Sequence, residues 1–440
     1  MYPKTVLNFP DDISSLPRRS FLRQVAGAAA ATASLPLLGC ADTAQRGESF
    51  DAIAAKMDPV DPGDESYWNA VKGEFPVRDG LIMLNAANLC PSPTRVQKRV
   101  FELTRDVDAD ASFTNRAKFS DQREEARAVL AGYVGAAPDE IAIVRNTSEA
   151  NNTVVGGLQL GSGDEVVIWD QNHPTANVAW DVRAQRYGFT VKRVSTPENP
   201  ESPGQLTKAF TDAFTPKTKV LAFSHVSNVT GVRINAEELC PMARERGIMT
   251  LVDGAQTFGT YRVALDEMGC DFYTASSHKW FCGPKEVGLL YVRKERIGDL
   301  WPLSVGVGWN DRMQESARKF ETLGQRDDSR ISAMIEAVDF HDKIGAPRVM
   351  SRARQLADAV KEGVQQKLPA AQILTPIQHE MSWGVVVFTV PGLYTDNALA
   401  ALYEQNVGCA IMGGNVRYSP HFYNTLDDIE VSIDAILRLV

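Results

Sequence analysis

Lys279 closes the run Ser276-Ser277-His278-Lys279, which interrupts an apolar stretch at Phe272–Ala275 and precedes a second one ending at Val292. A Gly283-Pro284 turn lies between them. The pattern predicts strand, polar crossing, turn and strand, with the lysine held at a strand end rather than on a solvated helix face. An amine fixed there beside hydroxyl and imidazole groups is a candidate Schiff-base nucleophile. Asp253 is the second such residue. It ends the apolar Leu251-Val252, where a carboxylate is costly unless it meets a cation or donors. A protonated heterocyclic nitrogen ~4 Å away would attract it by about 4 kcal/mol at an effective dielectric near 20. That equals roughly 3 pKa units, enough to keep a weak ring base protonated at neutral pH.

The elements that would bring these residues together follow from hydrophobic periodicity. Strands are expected at 81–84, 141–144, 165–169, 220–223, 249–252 and 272–275, and helices at 94–107, 120–133, 148–160, 175–187 and 237–246. Repeated strand–helix units imply an α/β fold with a mainly parallel sheet covered by helices on both faces. In such sheets ligands bind outside the carboxyl ends of the strands. The unusual polar residues fall at those ends: Asn146-Thr147-Ser148, Asn172-His173, Ser227-Asn228, Asp253-Gly254-Ala255-Gln256 and Ser276–Lys279. Their register points to one shared cleft. Asn146–Ser148 reads either as an ordinary helix cap or as an anion site at a helix N-terminus, and no Gly-x-x-x-x-Gly-Lys loop occurs. His173 is placed to cover one face of a ring. Residues 1–39 form an export signal, 40–80 an aperiodic N-terminal arm, 81–311 a large domain and 312–440 a smaller α+β domain. In the last, helices are expected at 330–344, 351–368, 398–405 and 427–439, with one strand at 384–390.

The chain has 440 residues, 44% of them hydrophobic and 23% charged, an ordinary globular composition with ample material for a large core. A net charge of −9, with no basic cluster beyond the N-terminus, argues against a nucleic-acid partner. Arg18-Arg19-Ser20-Phe21-Leu22 before a short Ala-rich run reads as a twin-arginine export signal, and the run is too short and too Ala-rich to span a membrane. Leu37-Leu38-Gly39-Cys40 resembles a lipobox, so lipidation at Cys40 is the one route to a membrane and release into the periplasm is the other. Six scattered cysteines without a CxxC pair speak against a disulfide framework or a metal site. Cys282 reads as a packing residue.

A Schiff-base lysine, a carboxylate for a ring nitrogen and a phosphate anchor together specify pyridoxal 5′-phosphate (PLP). Ser-x-His-Lys-x-x-x-Gly-Pro, with Val-Asp-Gly-Ala-Gln upstream, resembles the class V aminotransferase family of fold-type I PLP enzymes, over roughly residues 80–440. The group includes cysteine desulfurases and isopenicillin-N-epimerase-like proteins. The resemblance implies a seven-stranded-type sheet, a homodimer and a set of roles. Lys279 would bind the cofactor covalently and then carry a proton between the substrate Cα and the cofactor. Asp253 would hold the ring nitrogen, Gln256 the phenolic oxygen, and His173 would stack on the ring. Thr147 (through its backbone), Ser148, Ser276 and His278 would bind phosphate. Asn228 would lie near the phenolic oxygen and the substrate carboxylate, which Arg417, in Val-Arg-Tyr-Ser-Pro-His-Phe-Tyr-Asn-Thr, would grip.

Two departures stand out. Family members often carry Gly-Thr in a segment that reaches the partner subunit's phosphate, whereas this chain reads Glu321-Thr322-Leu323-Gly324-Gln325-Arg326-Asp327. Desulfurases place a persulfide-forming cysteine on a loop before the arginine motif. Here that stretch is Ile411-Met412-Gly413-Gly414-Asn415, and Cys409 is expected in the preceding strand. The expected activity is transamination, or a related oxidation, of the amino group of an amino acid or a glutamyl group in the periplasm. Exported relatives of this kind tailor the siderophore pyoverdine. The alternatives are a PLP-dependent epimerase or carbon–sulfur lyase, and a PLP-binding module without catalysis.

Overall fold

The computed structural model describes residues 63–440 except positions 308 and 394. The expected export signal, the lipobox-like stretch and the arm up to residue 62 lie outside the described residues.

Strands β1 (Ile82–Met83), β2 (Ile141–Val144), β3 (Glu165–Trp169), β4 (Thr190–Val194), β5 (Thr218–Ser224), β6 (Met249–Asp253), β7 (Phe272–Ser276) and β8 (Gly288–Val292) come first in the chain. Seven of them form one sheet in the order β2-β8-β7-β6-β5-β3-β4. It is parallel except for β8, which runs antiparallel to both β2 and β7. The sheet is therefore mixed rather than wholly parallel, because the short crossing after Lys279 returns the chain as a hairpin instead of through a helix.

Side chains alternate between two apolar layers. Ile141, Ile143, Val167, Trp169, Leu221 and Phe223 face one, and Ala142, Val144, Val166, Ile168, Val220 and Ala222 face the other. Strands buried on both faces read as continuous apolar runs, which is why they were visible in the sequence. β4 was not expected. As an edge strand it carries Lys192 and Arg193, and those charges mask its pattern.

The other edge, β2, is covered by a 3-10 turn at Ala317–Glu321. The Glu321 carboxylate accepts the Ile143 amide at 2.5 Å and pairs with Arg127, itself buried and bonded to the Ile141 carbonyl at 2.8 Å. The first residue of the expected partner-facing segment is thus pinned to its own sheet.

The C-terminal layer holds β9 (Gln372–Ile373), β10 (Val386–Thr389), β11 (Val407–Gly408), β12 (Ala410–Met412) and β13 (Asn415–Tyr418). Four of these make an antiparallel sheet, β12-β13-β10-β9. Leu356, Val360 and Val364 of the Ala346–Lys367 helix pack on it together with Ile429, Ile433 and Ile436 of the Leu426–Leu437 helix. β10 was expected from the sequence, and so was a strand through Cys409, which instead falls between β11 and β12; the others are too short to show a period. The helix expected at 330–344 is split into Asp328–Ser332 and Met334–Ile344.

The arm also differs from expectation. Asp64 caps a helix at Glu65–Gly73 that buries Tyr67, Trp68 and Val71. The chain then places β1 beside β11 in parallel register.

Candidate active site

The carboxyl ends of β2, β3, β5, β6 and β7 open onto one cavity of about 240 Å³. Thr147, Ser148, His173, Asn228, Asp253, Gln256, Ser276, His278 and Lys279 all line it, so nine residues singled out from five separate stretches converge.

Asp253 sits at the last position of β6, 8% exposed. Its Oδ1 accepts the Ala255 amide at 3.0 Å, and its Oδ2 accepts Asn151 Nδ2 at 2.9 Å. Asn151 is itself oriented by the Thr274 hydroxyl, which donates to Asn151 Oδ1 at 2.8 Å. Sequence reasoning missed Asn151. The signal was available, because it lies four residues after Thr147 on the Thr147–Gly157 helix and so shares its face. A carboxylate accepts about four hydrogen bonds, so these two donors leave capacity for a cationic N–H from the cavity.

Lys279 stands in the crossing between β7 and β8. Ser277 closes this loop by donating its hydroxyl to the Val287 carbonyl at 2.7 Å, and the Gly283 amide bonds Ser277 O at 2.7 Å. Two buried histidines clamp the residues that follow the lysine. His421 Nε2 donates to the Trp280 carbonyl at 2.6 Å and His341 Nε2 to the Phe281 carbonyl at 2.8 Å. Burial pushes both imidazoles down, to about 3 and about 4, so both are neutral donors at ordinary pH.

Lys279 Nζ makes no hydrogen bond or ion pair among the described residues. Burial lowers its pKa, the Asp253 carboxylate opposes that, and the Arg417 cation adds to it. The result is an amine that gives up its proton more readily than a solvated lysine, as a nucleophile toward a carbonyl must.

Around the N-terminus of the Thr147–Gly157 helix, the Thr147 amide is already bonded to Ser276 Oγ at 2.8 Å and the Glu149 amide to Asn146 Oδ1 at 3.0 Å. The Ser148 amide has no partner among the described residues. Thr147 thus braces Ser276 through its backbone, and the free donors beside the helix dipole are the Ser148 N–H and the nearby hydroxyls. His278 is held near pH 4 by burial and by the Lys279 ammonium, and is neutral. His173 caps the Pro174–Tyr187 helix by accepting the Thr175 amide on Nδ1 at 3.3 Å. The surrounding wall and then Lys279 lower its pKa as well.

Arg417, on β13, does not line the cavity. Its Nη1 donates to the Asn228 carbonyl at 3.3 Å and its Nη2 to Asn85 Oδ1 at 3.0 Å, while its buried Nε has no partner. Asn85, which follows the first strand, and Asn88, which lines the cavity, were not singled out from the sequence. β12 and β13 join through Gly413-Gly414, both at positive φ, which is a two-residue hairpin turn. Cys409 lies between β11 and β12, 7% exposed, its thiol pushed up to about 12 chiefly by burial.

The donor set fits PLP. An unpartnered amine, a buried carboxylate with spare acceptor capacity and a helix N-terminus with free donors all face one space. A sequence model of the family described as aminotransferase class-V matches residues 85–431. The isopenicillin N epimerases of Streptomyces clavuligerus and Amycolatopsis lactamdurans are 29% and 30% identical, each over 84% of this chain and over 97% and 98% of their own lengths. A probable cysteine desulfurase of Pyrococcus abyssi is 27% identical over 84% of this chain and 97% of its own. Among solved structures, C-DES with glycine covalently linked to its PLP cofactor superposes with a TM-score of 0.77 at 21% identity, covering 84% of this chain and 99% of that one. The apo cysteine desulfurase of Thermococcus onnurineus gives 0.77 at 24% identity over 87% and 99%. With the family match covering most of the chain and the large mixed sheet shared with those neighbours, this protein belongs to the class-V aminotransferase family of PLP-dependent enzymes.

Proposed function

We propose that this protein is a PLP-dependent aminotransferase, or a closely related oxidative enzyme, acting on the amino group of an amino acid or a glutamyl group. The observation that carries the reading is the Lys279 amine, without a hydrogen-bond partner among the described residues, in the same cavity as the buried Asp253 carboxylate. PLP, when bound, supplies an electron sink that weakens the bonds at the substrate α-carbon. Lys279 would hold the cofactor and then carry a proton from the α-carbon. Asp253 would keep the ring nitrogen cationic, His173 would lie against the ring, and Ser148, Thr147, Ser276 and His278 would hold the phosphate end. Asn228 would meet the substrate carboxylate, with Arg417, bonded to the Asn228 carbonyl, supplying the positive charge.

The tight Gly413-Gly414 turn carries no cysteine and Cys409 beside it is buried, which supports chemistry at the amino group over desulfuration. Epimerisation is the second reading, favoured by the isopenicillin N epimerases among the relatives. Incubation with amino acids, or with a glutamyl siderophore precursor, separates the two when products are read by mass spectrometry and chiral analysis with and without a keto acid. Loss of the amino group only with the keto acceptor supports transamination. Inverted stereochemistry without a change of mass supports epimerisation and sinks the first reading. Borohydride reduction and peptide mapping test the site, since a pyridoxyl group anywhere but Lys279 overturns it.

The Arg18-Arg19 motif supports the further proposal that the folded enzyme works in the periplasm, on a substrate such as the glutamyl group of a pyoverdine precursor. Retention of an Arg18→Lys, Arg19→Lys variant in the cytoplasm, with wild type in the periplasmic fraction, is the expected result. Equal distribution of the two counts against export by this route.

A further inference from the structure

Gln256 lies between two groups that each have a single hydrogen-bonding role. Its Oε1 accepts the Trp280 indole N–H at 2.8 Å, and its Nε2 donates to the Ala87 carbonyl at 3.0 Å. An indole nitrogen only donates and a carbonyl oxygen only accepts. Turning the amide over would set donor against donor and acceptor against acceptor, so both partners select the same orientation. The donor left over is the second hydrogen of Nε2, on a residue that lines the cavity.

Trp280 is well placed to enforce this. Its side chain is 0% exposed, and its carbonyl is held by His421, whose ring stands edge-on to the indole at 5.2 Å and 79°. Beneath it is Gly384 at φ +57, where an added Cβ would lie 3.0 Å from the indole Cη2. The indole therefore has a slot with little freedom, fixed from the C-terminal layer. Trp280 directly follows Lys279, so the loop that presents the amine also aims the Gln256 amide.

We propose that Trp280 is a positioning residue that fixes the Gln256 amide so that it presents an N–H, and not a carbonyl, to the phenolic oxygen of the cofactor. The inference rests on the site assignment above and deepens it. An N–H directed at that oxygen stabilises its anion and reduces its hold on the neighbouring Schiff-base proton. Removing the N–H, or letting the amide turn over, leaves that proton bound to higher pH.

The test is a pH titration of the cofactor colour in wild type, Trp280→Phe, Gln256→Leu and the double variant, with cofactor stoichiometry and thermal melting recorded alongside. Gln256→Leu is expected to raise the midpoint by about half to one pH unit, the worth of one neutral hydrogen bond, and Trp280→Phe by part of that, because the Ala87 carbonyl still holds Nε2. The double variant is expected to shift no further than Gln256→Leu alone, because Trp280 acts through Gln256. An unchanged midpoint in Trp280→Phe, or an undiminished extra shift in the double variant, overturns the proposal. Should Trp280→Phe fail to fold, 3-benzothienylalanine at position 280 replaces the N–H by sulfur with nearly the same shape and gives the same readout. A wild-type protein that forms no pH-sensitive chromophore overturns the site assignment itself, which distinguishes the two failures.

Discussion

Asn151 and Asp253 are joined by a hydrogen bond of 2.9 Å across the floor of the cavity, and the Thr274 hydroxyl at 2.8 Å turns the Asn151 amide so that its nitrogen faces the carboxylate. A donor to a buried carboxylate favours its charged form. Asn151→Leu keeps much of the volume and removes the donor, so the Asp253 carboxylate is less well aimed and supports a cationic ring nitrogen less well. Hydrogen bonds to charged groups are worth about 1.5–3 kcal/mol, so PLP affinity is expected to fall roughly 10- to 100-fold. Titration of apoprotein with PLP measures it, and an unchanged affinity would remove Asn151 from the site.

Arg417 spends two nitrogens on Asn228 and Asn85 and keeps a buried Nε without a partner. A lysine at this position keeps the charge and loses the planar fork. Arg417→Lys is expected to raise the KM for an α-amino acid about tenfold or more, with a smaller change in kcat. Asn85→Ala, which only loosens the fork, should show a weaker effect in the same direction. Steady-state kinetics on both variants decides this, and an effect confined to kcat would place Arg417 in the chemical step instead.

Gly259 has φ +93, and a Cβ there would lie 2.4 Å from the backbone of Phe281, two residues beyond Lys279. Positive φ and a backbone clash act together in Gly259→Ala. The expected cost is about 2–5 kcal/mol, accompanied by weaker cofactor retention because the lysine loop must shift. Denaturant unfolding and dialysis against buffer without PLP measure the two effects separately.

Glu321→Ala removes the carboxylate that faces Arg127, whose side chain is 1% exposed, and orphans the Ile143 amide. Breaking a buried pair on one side typically costs about 3–5 kcal/mol, and Arg127 keeps Glu124 at 3.0 Å, so a loss at the lower end of that range is expected. The midpoint of urea unfolding should drop accordingly. A drop below 1 kcal/mol would mean that water reaches Arg127 in the variant.

His225, His341 and His421 are buried and their pKa values are depressed to about 3, about 4 and about 3, against 6.5 for a free imidazole. Burial is the main cause in each. Between those values the unfolded chain binds protons that the folded chain refuses, so stability rises with pH there and is lost as pH falls below 6.5. Each histidine contributes roughly 1 kcal/mol of loss between pH 6.5 and about 5.5. Urea unfolding across that range should show the decline before most carboxylates titrate. A flat profile down to pH 5 would contradict it.

Lys279, Asp253 and their companions were legible because each lies at the point where an apolar run gives way to polar residues, a signal carried within a few positions of chain. The run lengths also placed β2, β3 and β5–β8 to within a few residues, since strands buried on both faces leave no ambiguity of period. β4 escaped because its edge position permits Lys192 and Arg193, and β9 and β11–β13 escaped because two to four residues carry no period.

By itself the sequence determined which residues could do chemistry and at which strand ends they stand. The tertiary structure alone decided how they are aimed. Asn151 reaches Asp253 across 102 positions, Trp280 and Ala87 orient Gln256 from opposite sides, and Asn85 steadies Arg417 across 332. Hydrogen bonds of this kind depend on distances of a few tenths of an ångström between segments far apart in the chain, and no local pattern of residue types encodes them.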